Sequence, residues 1–346
     1  MFAHRTSSRA SRKTHDPGDT IADYVIVKLI GQGGYGDIYT VQKDESEEIY
    51  AMKLESITAE KQGLETEVAI LSQVQDSEFF AKLYETGQTE SERYLVMELL
   101  GPSVSNTRRQ TPSHSLSLGT TLRIGIFMVQ CIEDFHKHGF IHRDIKSGNF
   151  LLRYGHQNPL ALIDFGLSRK FIDPQTNEPF PERKKCGFRG TAKYASVYVH
   201  ESRDQCRRDD LISWCYSLVE LVEGRLPWST IHDNEQVHRA KARMSPKSLF
   251  KRFPQEFQEI YRYINTLTFT SVPHYEYIIQ LILQSLVNMN FDLFSRYDWE
   301  YFKKEQIERY SPIPKLPKAS ELVLPETQSI ASKDDTNHSN CACKLL

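Results

Sequence analysis

The chain has 346 residues, and its 43 lysine and arginine residues nearly balance 45 aspartate and glutamate residues, leaving a formal net charge of −2. This balance excludes a uniformly basic protein of the kind that coats nucleic acid. With 39% hydrophobic residues the chain can bury a sizeable core, and its length allows two domains or one two-lobed unit. The sequence contains no run of 18 apolar residues, so we expect no membrane-spanning helix.

Both ends of the sequence have the composition of solvated tails. Residues 1–20 are polar and basic without hydrophobic periodicity, which predicts a disordered tail, with a nuclear-localisation signal as a second interpretation. Prolines followed by a Ser/Asn/Asp-rich stretch predict another disordered tail over residues 306–346. The sequence therefore places one ordered domain between them, over residues 21–305.

The ordered part begins with strands and continues with helices. Alternating, β-rich segments predict antiparallel strands over residues 24–30, 37–41, 49–54 and 94–97. Apolar residues at helical spacing predict one helix over residues 64–74. Further helices are expected over residues 120–138, 210–223, 233–244, 254–267 and 273–289. The fold class is therefore α+β, with a small sheet first and a larger helical part after it.

The first motif is G-x-G-x-x-G at residues 31–36, between two predicted strands. A dinucleotide fingerprint requires a helix directly after the glycines, whereas residues 37–41 alternate as a strand, which argues against a dehydrogenase. The sequence has no G-x-x-x-x-G-K-[ST], so a P-loop is excluded. A strand–glycine–strand hairpin can instead close its backbone over phosphates, as in a kinase.

A kinase also needs a cation on the nucleotide phosphates, held by a carboxylate from a helix. Lys53 lies on the third predicted strand, and Glu67 lies beside the apolar stripe of the following helix. A charge at that position is costly unless it is paired, which favours a Lys53–Glu67 ion pair over a solvated glutamate.

Two further motifs supply catalytic and metal-binding groups in the expected order. Residues 142–149 match H-R-D-x-x-x-x-N, where Asp144 would accept the substrate hydroxyl proton and Lys146 would neutralise charge on the moving phosphoryl group. Asn149 and Asp164, the aspartate of Asp-Phe-Gly at 164–166, supply the oxygen ligands that Mg²⁺ prefers.

The order and spacing of these motifs resemble the eukaryotic protein kinase family over about residues 21–305. Residues 97–103 resemble the hinge of the casein kinase 1 group, and Gly-Thr-Ala-Lys-Tyr-Ala-Ser at 190–196 replaces the usual A-P-E, as in that group. Segments most similar to the tau-tubulin kinase branch are residues 187–191, 233–237, 254–257 and 297–300.

The resemblance implies a two-lobed protein kinase fold, with an N-lobe over residues 21–98 and a C-lobe over 101–305. It implies ATP and Mg²⁺ as cofactors, and Lys146 favours Ser/Thr over Tyr substrates. The implied catalytic residues are Lys53, Glu67, Asp144 and Lys146, and the implied metal ligands are Asn149 and Asp164. The ATP-binding residues expected are Ile30, Gly31, Gln32, Gly33, Gly34, Tyr35, Gly36, Asp37, Ile38, Lys53, Glu98 and Leu100.

The net charge conceals a basic stretch, because residues 182–208 carry eight lysine and arginine residues against three acidic ones. Relatives in the casein kinase 1 group grip acidic or phosphorylated substrates with an anion pocket here. The positions that match are Arg143, Arg169 and Lys193, with Arg189 and Lys185 nearby. Charge-assisted hydrogen bonds to phosphate are the physical basis, and an ordinary solvated loop is the alternative. No nucleic-acid recognition motif accompanies the patch, so we expect no nucleic-acid partner.

The last four residues, 343–346, have a C-a-a-X form whose terminal leucine favours geranylgeranylation of Cys343. A fortuitous cysteine near a disordered end is the alternative. Six cysteines without a C-x-x-C pair indicate a reducing compartment. We therefore expect a cytoplasmic protein, with the nucleus as a second compartment and peripheral membrane association if Cys343 is prenylated.

The sequence thus favours an active Ser/Thr protein kinase, working as a monomer on acidic, phospho-primed or cytoskeletal proteins. A pseudokinase, which is a kinase-shaped interaction module, is the second hypothesis. The intact set of Lys53, Glu67, Asp144, Asn149 and Asp164 argues against it.

Overall fold

A computed structural model describes residues 14–33, 36–43, 46–59, 62–156 and 158–301. The strands are β1 (Thr20–Ile21), β2 (Tyr24–Gly33), β3 (Gly36–Lys43), β4 (Ile49–Ser56), β5 (Leu83–Gln88), β6 (Glu92–Met97), β7 (Phe140–Ile141), β8 (Phe150–Leu152), β9 (Leu160–Leu162) and β10 (Arg169–Lys170). The helices are α1 (Leu64–Leu71), α2 (Val104–Gln110), α3 (Leu118–Lys137), α4 (Val197–His200), α5 (Arg207–Glu223), α6 (Asn234–Ala242), α7 (Pro246–Leu249), α8 (Glu256–Thr266) and α9 (Tyr275–Asn288).

An antiparallel sheet in the order β1-β2-β3-β4-β6-β5 forms the N-lobe, with α1 as its helix. Strand β4 lies inside this sheet, so Lys53 pairs with Ile38 on one side and with Leu95 on the other. Two hydrogen-bonded neighbours fix the register of β4, and with it the direction of its side chains. The predicted α+β class is confirmed, with this antiparallel sheet first and most of the helices after it.

The folded chain begins earlier than the sequence suggests. His15 is buried, its Nε2 lies 2.7 Å from Glu92 Oε2, and its backbone N–H donates to the Tyr39 hydroxyl at 3.1 Å. The N–H of Gly18 also donates to the carbonyl of Ile26 at 2.8 Å. Residues 14–20 of the expected tail are therefore packed on the sheet, whereas residues 1–13 and 302–346 lie outside the described part.

Helix α5 is the centre of the C-lobe, and α3 packs against it. The indole Nε1 of Trp214 donates to the carbonyl of Gly125 at 3.1 Å, and a Cβ atom at Gly125 would lie 3.2 Å from the side chain of Leu218. Helix α5 ends at Gly224, whose φ of +76° suits glycine, as the sequence predicted. It starts three residues before the predicted position 210, because the Asp209 carboxylate accepts from the N–H of Cys206 at 2.8 Å.

The five helices predicted from residue 120 onwards are all present, with ends shifted by at most three residues. Strand β5 was not predicted, since Gly87 and its charged neighbours weaken the strand pattern. The two-stranded sheets β7–β10 and β8–β9 were also missed, because strands of two or three residues carry no periodic signal. Within the described ranges, no helix is long and apolar enough to cross a membrane.

Candidate active site

The glycine motif forms the hairpin expected from the sequence. Gly31 pairs with Ile38, Gln32 with Asp37, and Gly33 with Gly36, while Gly34 and Tyr35 lie outside the described residues. Gly36 has a φ of +133°, and a Cβ atom there would lie 2.1 Å from the Leu54 carbonyl oxygen. Only glycine therefore allows β3 to approach β4 this closely beside Lys53.

A cleft of about 220 Å³ lies below this hairpin. Its lining is mostly apolar and includes Ile30, Ile38, Ala51, Leu151 and Ile163.

The segment joining the lobes, residues 98–101, borders the same cleft. The carboxylate of Glu98 is bound to Arg153, with Oε2 and Nη2 2.6 Å apart, so we expect the main chain of Glu98 to meet a ligand. The combination of apolar walls and main-chain groups suits the flat ring of a nucleotide base.

Lys53 joins Glu67, the carboxylate that the sequence assigned to it, and Asp164, which the sequence assigned to Mg²⁺. Its Nζ lies 2.5 Å from Glu67 Oε2 and 3.6 Å from Asp164 Oδ1. Burial alone would lower the pKa of Lys53, but the charges of Glu67 and Asp164 outweigh it and raise the pKa above its ordinary value. Lys53 is therefore a fixed cation between the helix α1 and the Asp-Phe-Gly motif.

A second side chain of β4 holds α1 in place, and sequence reasoning missed it. Glu55 is buried, and its Oε1 accepts from the backbone N–H groups of Gly63 at 2.7 Å and Leu64 at 3.2 Å. These donors belong to the first turn of α1, where N–H groups have no partner within the helix. Strand β4 thus fixes α1 twice, through Lys53 at Glu67 and through Glu55 at the helix start.

Asp144 is held in the catalytic loop by three groups. Its Oδ1 accepts from the backbone N–H of Thr191 at 2.8 Å, and its Oδ2 lies 2.5 Å from Lys146 Nζ. Its carbonyl accepts from the side-chain amide of Asn149 at 3.0 Å. Asp144 is 7% exposed, so the carboxylate is oriented before any substrate arrives.

The loop around Asp144 has a strained backbone that the C-lobe stabilises. Arg143 has a φ of +67°, which is unusual for a residue other than glycine. The carboxylate of Asp210 accepts from the N–H groups of His142 at 2.7 Å and Arg143 at 2.8 Å, and it contacts His136 at 2.9 Å. Asp210, at the start of α5, is therefore the anchor of the catalytic loop.

The aromatic ring of the Asp-Phe-Gly motif is buried in a cluster from both lobes. Phe165 stacks on Phe135 with ring centroids 5.0 Å apart and meets the edges of Phe80 and His142 at 5.8 Å each. With the ring held there, the neighbouring Asp164 faces Lys53. This is the arrangement required for Asp164 to reach a metal ion beside the phosphates.

The residues assigned to Mg²⁺ fit a hard cation. The Asn149 amide nitrogen donates to Asp144, so the amide oxygen is the atom that a cation would meet. The Asp164 carboxylate is about one-third exposed, and its Oδ1 lies 3.6 Å from Lys53 Nζ. Magnesium prefers oxygen donors of this kind, completed by substrate phosphates and water.

The basic residues of the expected anion pocket divide into two groups. Burial and the nearby positive charges of Arg169, Arg183 and Arg189 lower the pKa of Arg143 to about 10. Lys193 instead forms an ion pair with the buried Glu220, whose other oxygen accepts from a tyrosine hydroxyl. The structure therefore brings Arg143, Arg169 and Arg189 together and directs Lys193 elsewhere.

A buried carboxylate that the sequence did not reveal organises this arginine group. Asp204 accepts hydrogen bonds from Arg169 at 3.0 Å and from Arg183 at 2.7 and 3.0 Å. Burial would raise the pKa of Asp204, but these guanidinium groups outweigh it and hold the pKa well below its ordinary value. No local pattern marks such a residue, since its partners lie 21 and 35 positions away.

Comparison with known proteins shows the family of this chain and confirms the predicted two-lobed protein kinase fold. Residues 24–291 match the family described as Protein kinase domain, and the chain belongs to that family. It is 36% identical over 279 residues to a probable serine/threonine-protein kinase of Dictyostelium discoideum, covering 80% of this chain and 56% of that protein. It is 31% identical over 290 residues to the serine/threonine-protein kinase spe-6 of Caenorhabditis elegans, covering 81% of this chain and 76% of that protein. The chain thus spans little more than half of the first relative.

Proposed function

We propose that this chain is an active Ser/Thr protein kinase that transfers the γ-phosphoryl group of ATP to protein hydroxyls. The observation that carries the proposal is the position of Lys53, which contacts Glu67 and Asp164 at once. Phosphoryl transfer depends on positioning and charge, and this contact requires both α1 and the Asp-Phe-Gly motif to be in place. Displacement of α1, or rotation of the Asp164 side chain away from Lys53, would break this contact.

Asp144 is the group that meets the substrate hydroxyl. With the Thr191 N–H and Lys146 already on its two oxygens, the carboxylate accepts a hydrogen bond from the hydroxyl and then its proton. The Lys146 ammonium, 2.5 Å from Asp144, also lies where charge builds up on the phosphoryl oxygens.

The remaining residues hold ATP. The cleft below the glycine hairpin takes the base, and Lys53 binds the phosphates. Asn149 and Asp164 would hold Mg²⁺, which neutralises negative charge on the phosphate oxygens.

A pseudokinase of the same fold would keep this shape without transferring phosphate. The separating experiment measures transfer from radiolabelled ATP to acidic, phospho-primed and unprimed serine peptides, with and without Mg²⁺. Wild type should give magnesium-dependent transfer, and Lys53→Ala and Asp144→Asn should reduce it by about three orders of magnitude or more. Wild-type activity equal to that of Asp144→Asn would establish the pseudokinase.

We further propose that the enzyme belongs to the casein kinase 1 group, near the tau-tubulin kinase branch, and prefers acidic or phospho-primed proteins, including cytoskeletal ones. The crowded charges of Arg143, Arg169 and Arg189 support this preference, because Asp204 offsets only part of them.

The preference is tested at Arg189, which is exposed and donates only to a main-chain carbonyl among the hydrogen bonds of the described residues. Arg189→Ala should raise KM for a phospho-primed peptide about tenfold and change KM for the unprimed peptide little. Arg225→Ala, an exposed arginine beyond the end of α5, is the matched control. Equal effects of Arg189→Ala on both peptides would contradict the pocket.

The proposed location is the cytoplasm, and the nucleus is a second proposed compartment. The proposed oligomeric state is a monomer. Cys343, the lipidation candidate, lies outside the described residues. If it is prenylated, Cys343→Ser should move the protein from the membrane to the soluble fraction. A wild-type protein that is entirely soluble on fractionation would rule out this anchor.

A further inference from the structure

The segment beside Asp144, residues 191–196, is held by its main chain. Donors of the C-lobe bind four successive carbonyl groups: Lys241 Nζ binds Ala192 and Ala195 at 2.6 Å each, Trp228 Nε1 binds Lys193 at 2.8 Å, and Ser213 Oγ binds Tyr194 at 2.9 Å. A loop in water rarely has every carbonyl occupied by a protein donor. This part of the chain is therefore fixed as a rigid strip, which we call the 191–196 strip.

Lys241 is the central donor, and its burial is unusual. It lies in α6, is 3% exposed, and packs its ammonium group 5.2 Å from the ring centres of Tyr216 and Trp228. Among the described residues its ammonium group meets carbonyl oxygens, ring faces and, at 3.3 Å, the Nε2 atom of His200, and it forms no ion pair with a carboxylate. Burial lowers its pKa to about 7, so the site loses stability by holding a cation there.

The strip connects Lys241 to the catalytic aspartate. The carbonyl of Thr191 accepts from the N–H groups of Tyr194 at 2.9 Å and Ala195 at 3.0 Å, which closes a turn. Lys241 binds this turn on both sides, at Ala192 and Ala195. The N–H of Thr191 then donates to Asp144 Oδ1 at 2.8 Å. A shift of the turn would therefore move the group that orients Asp144.

We propose that Lys241 is a positioning residue for the protein substrate, through its hold on the 191–196 strip. This inference rests on the proposed kinase activity. A hydroxyl within hydrogen-bonding distance of Asp144 is also close to Thr191, so the substrate chain carrying it has to lie along this strip. The described residues that line the nucleotide cleft include neither Lys241 nor any residue of the strip. Lys241 thus acts on the protein substrate and on Asp144, and not on ATP binding.

The test compares Lys241→Met with Arg239→Met, a change of an exposed residue on the same helix. Methionine has a similar length and suits a pocket between aromatic rings, but it cannot donate to the two carbonyls. Lys241→Met should lower kcat/KM for a peptide substrate about ten- to a hundredfold and leave KM for ATP within about twofold of wild type. Arg239→Met should resemble wild type in both constants.

Hydrogen–deuterium exchange provides a readout that does not depend on activity. Lys241→Met should speed exchange in the 191–196 strip and leave exchange in α5 unchanged. Trp228→Phe, which removes one donor and keeps a ring, should do the same more weakly. Unchanged peptide kinetics together with unchanged exchange in Lys241→Met would overturn the proposal. A wild-type protein without transfer would refute the kinase function, and exchange would still decide whether Lys241 holds the strip.

Discussion

We predict that the two hydrogen bonds of Glu55 hold the start of α1 in place. Glu55→Ala removes a buried carboxylate that accepts from Gly63 at 2.7 Å and from Leu64 at 3.2 Å. It leaves Lys53 and Glu67 in place, so it changes only the attachment of the helix start. Glu55→Gln keeps one accepting oxygen and should have a weaker effect in the same direction.

The size of the effect follows from these contacts. Removing a helix-capping carboxylate typically costs about 0.5–2 kcal/mol, and hydrogen bonds to charged groups contribute about 1.5–3 kcal/mol each. Both donors are near the helix end, so water can partly replace the lost carboxylate. We therefore expect the docked position of α1 to lose about 2 kcal/mol of stability. This corresponds to about a 30-fold shift of the equilibrium towards a displaced helix.

Steady-state kinetics and thermal melting test the prediction together. Glu55→Ala should lower kcat/KM for ATP by up to about 30-fold and lower the melting temperature by a few degrees. Glu65→Ala is the matched control, because Glu65 lies in the same helix turn, is exposed, and within the described part of the chain forms an ion pair only with Arg93, at 3.1 Å. Wild-type kinetics in Glu55→Ala would refute the view that β4 fixes α1 at two points.

Three further predictions follow from single positions. Gly36→Ala should raise KM for ATP about tenfold or more in initial-rate assays, because its Cβ would lie 2.1 Å from the Leu54 carbonyl; an unchanged KM would refute the close approach. Gly190→Ala places a Cβ 2.4 Å from the Arg143 carbonyl at a φ of +101°, and should lower kcat more than it raises KM for ATP. Asp204→Asn should lower the melting temperature above pH 4. The gap in melting temperature between wild type and variant should narrow as pH falls towards the depressed pKa of Asp204, because protonation of the carboxylate removes the stability it contributes. A gap that stays constant with pH would contradict the lowered pKa.

The sequence predicted the residues that carry the chemistry of the site better than the residues that hold them in place. The sequence assigned roles to Lys53, Glu67, Asp144, Asn149 and Asp164 from motif spacing. In the structure Lys53 contacts Glu67 and Asp164, and the Asn149 amide donates to the carbonyl of Asp144. These positions are readable because the reaction demands a given residue type at a given distance along the chain. The long helices were readable for a similar reason, since burial of one face imposes a period.

The supporting residues could not be read in this way. Glu55, Asp204, Asp210 and Lys241 each bind groups that are remote in sequence or belong to the main chain. A main-chain partner leaves no mark on the sequence, because every residue carries the same N–H and carbonyl groups. Lys193 shows the converse, since its position suggested an anion pocket while its side chain binds Glu220.

We infer that the Lys53–Glu67–Asp164 contact belongs to a working enzyme. The most direct measurement is the initial rate of γ-phosphate transfer from ATP to a serine-containing acidic peptide, for wild type and Asp144→Asn, with Mg²⁺ and after its removal by chelation. We predict phosphoserine with wild type and Mg²⁺ only, and at least about a thousandfold less with Asp144→Asn. Equal rates for the two proteins, or no transfer by wild type at any Mg²⁺ concentration, would contradict the claim.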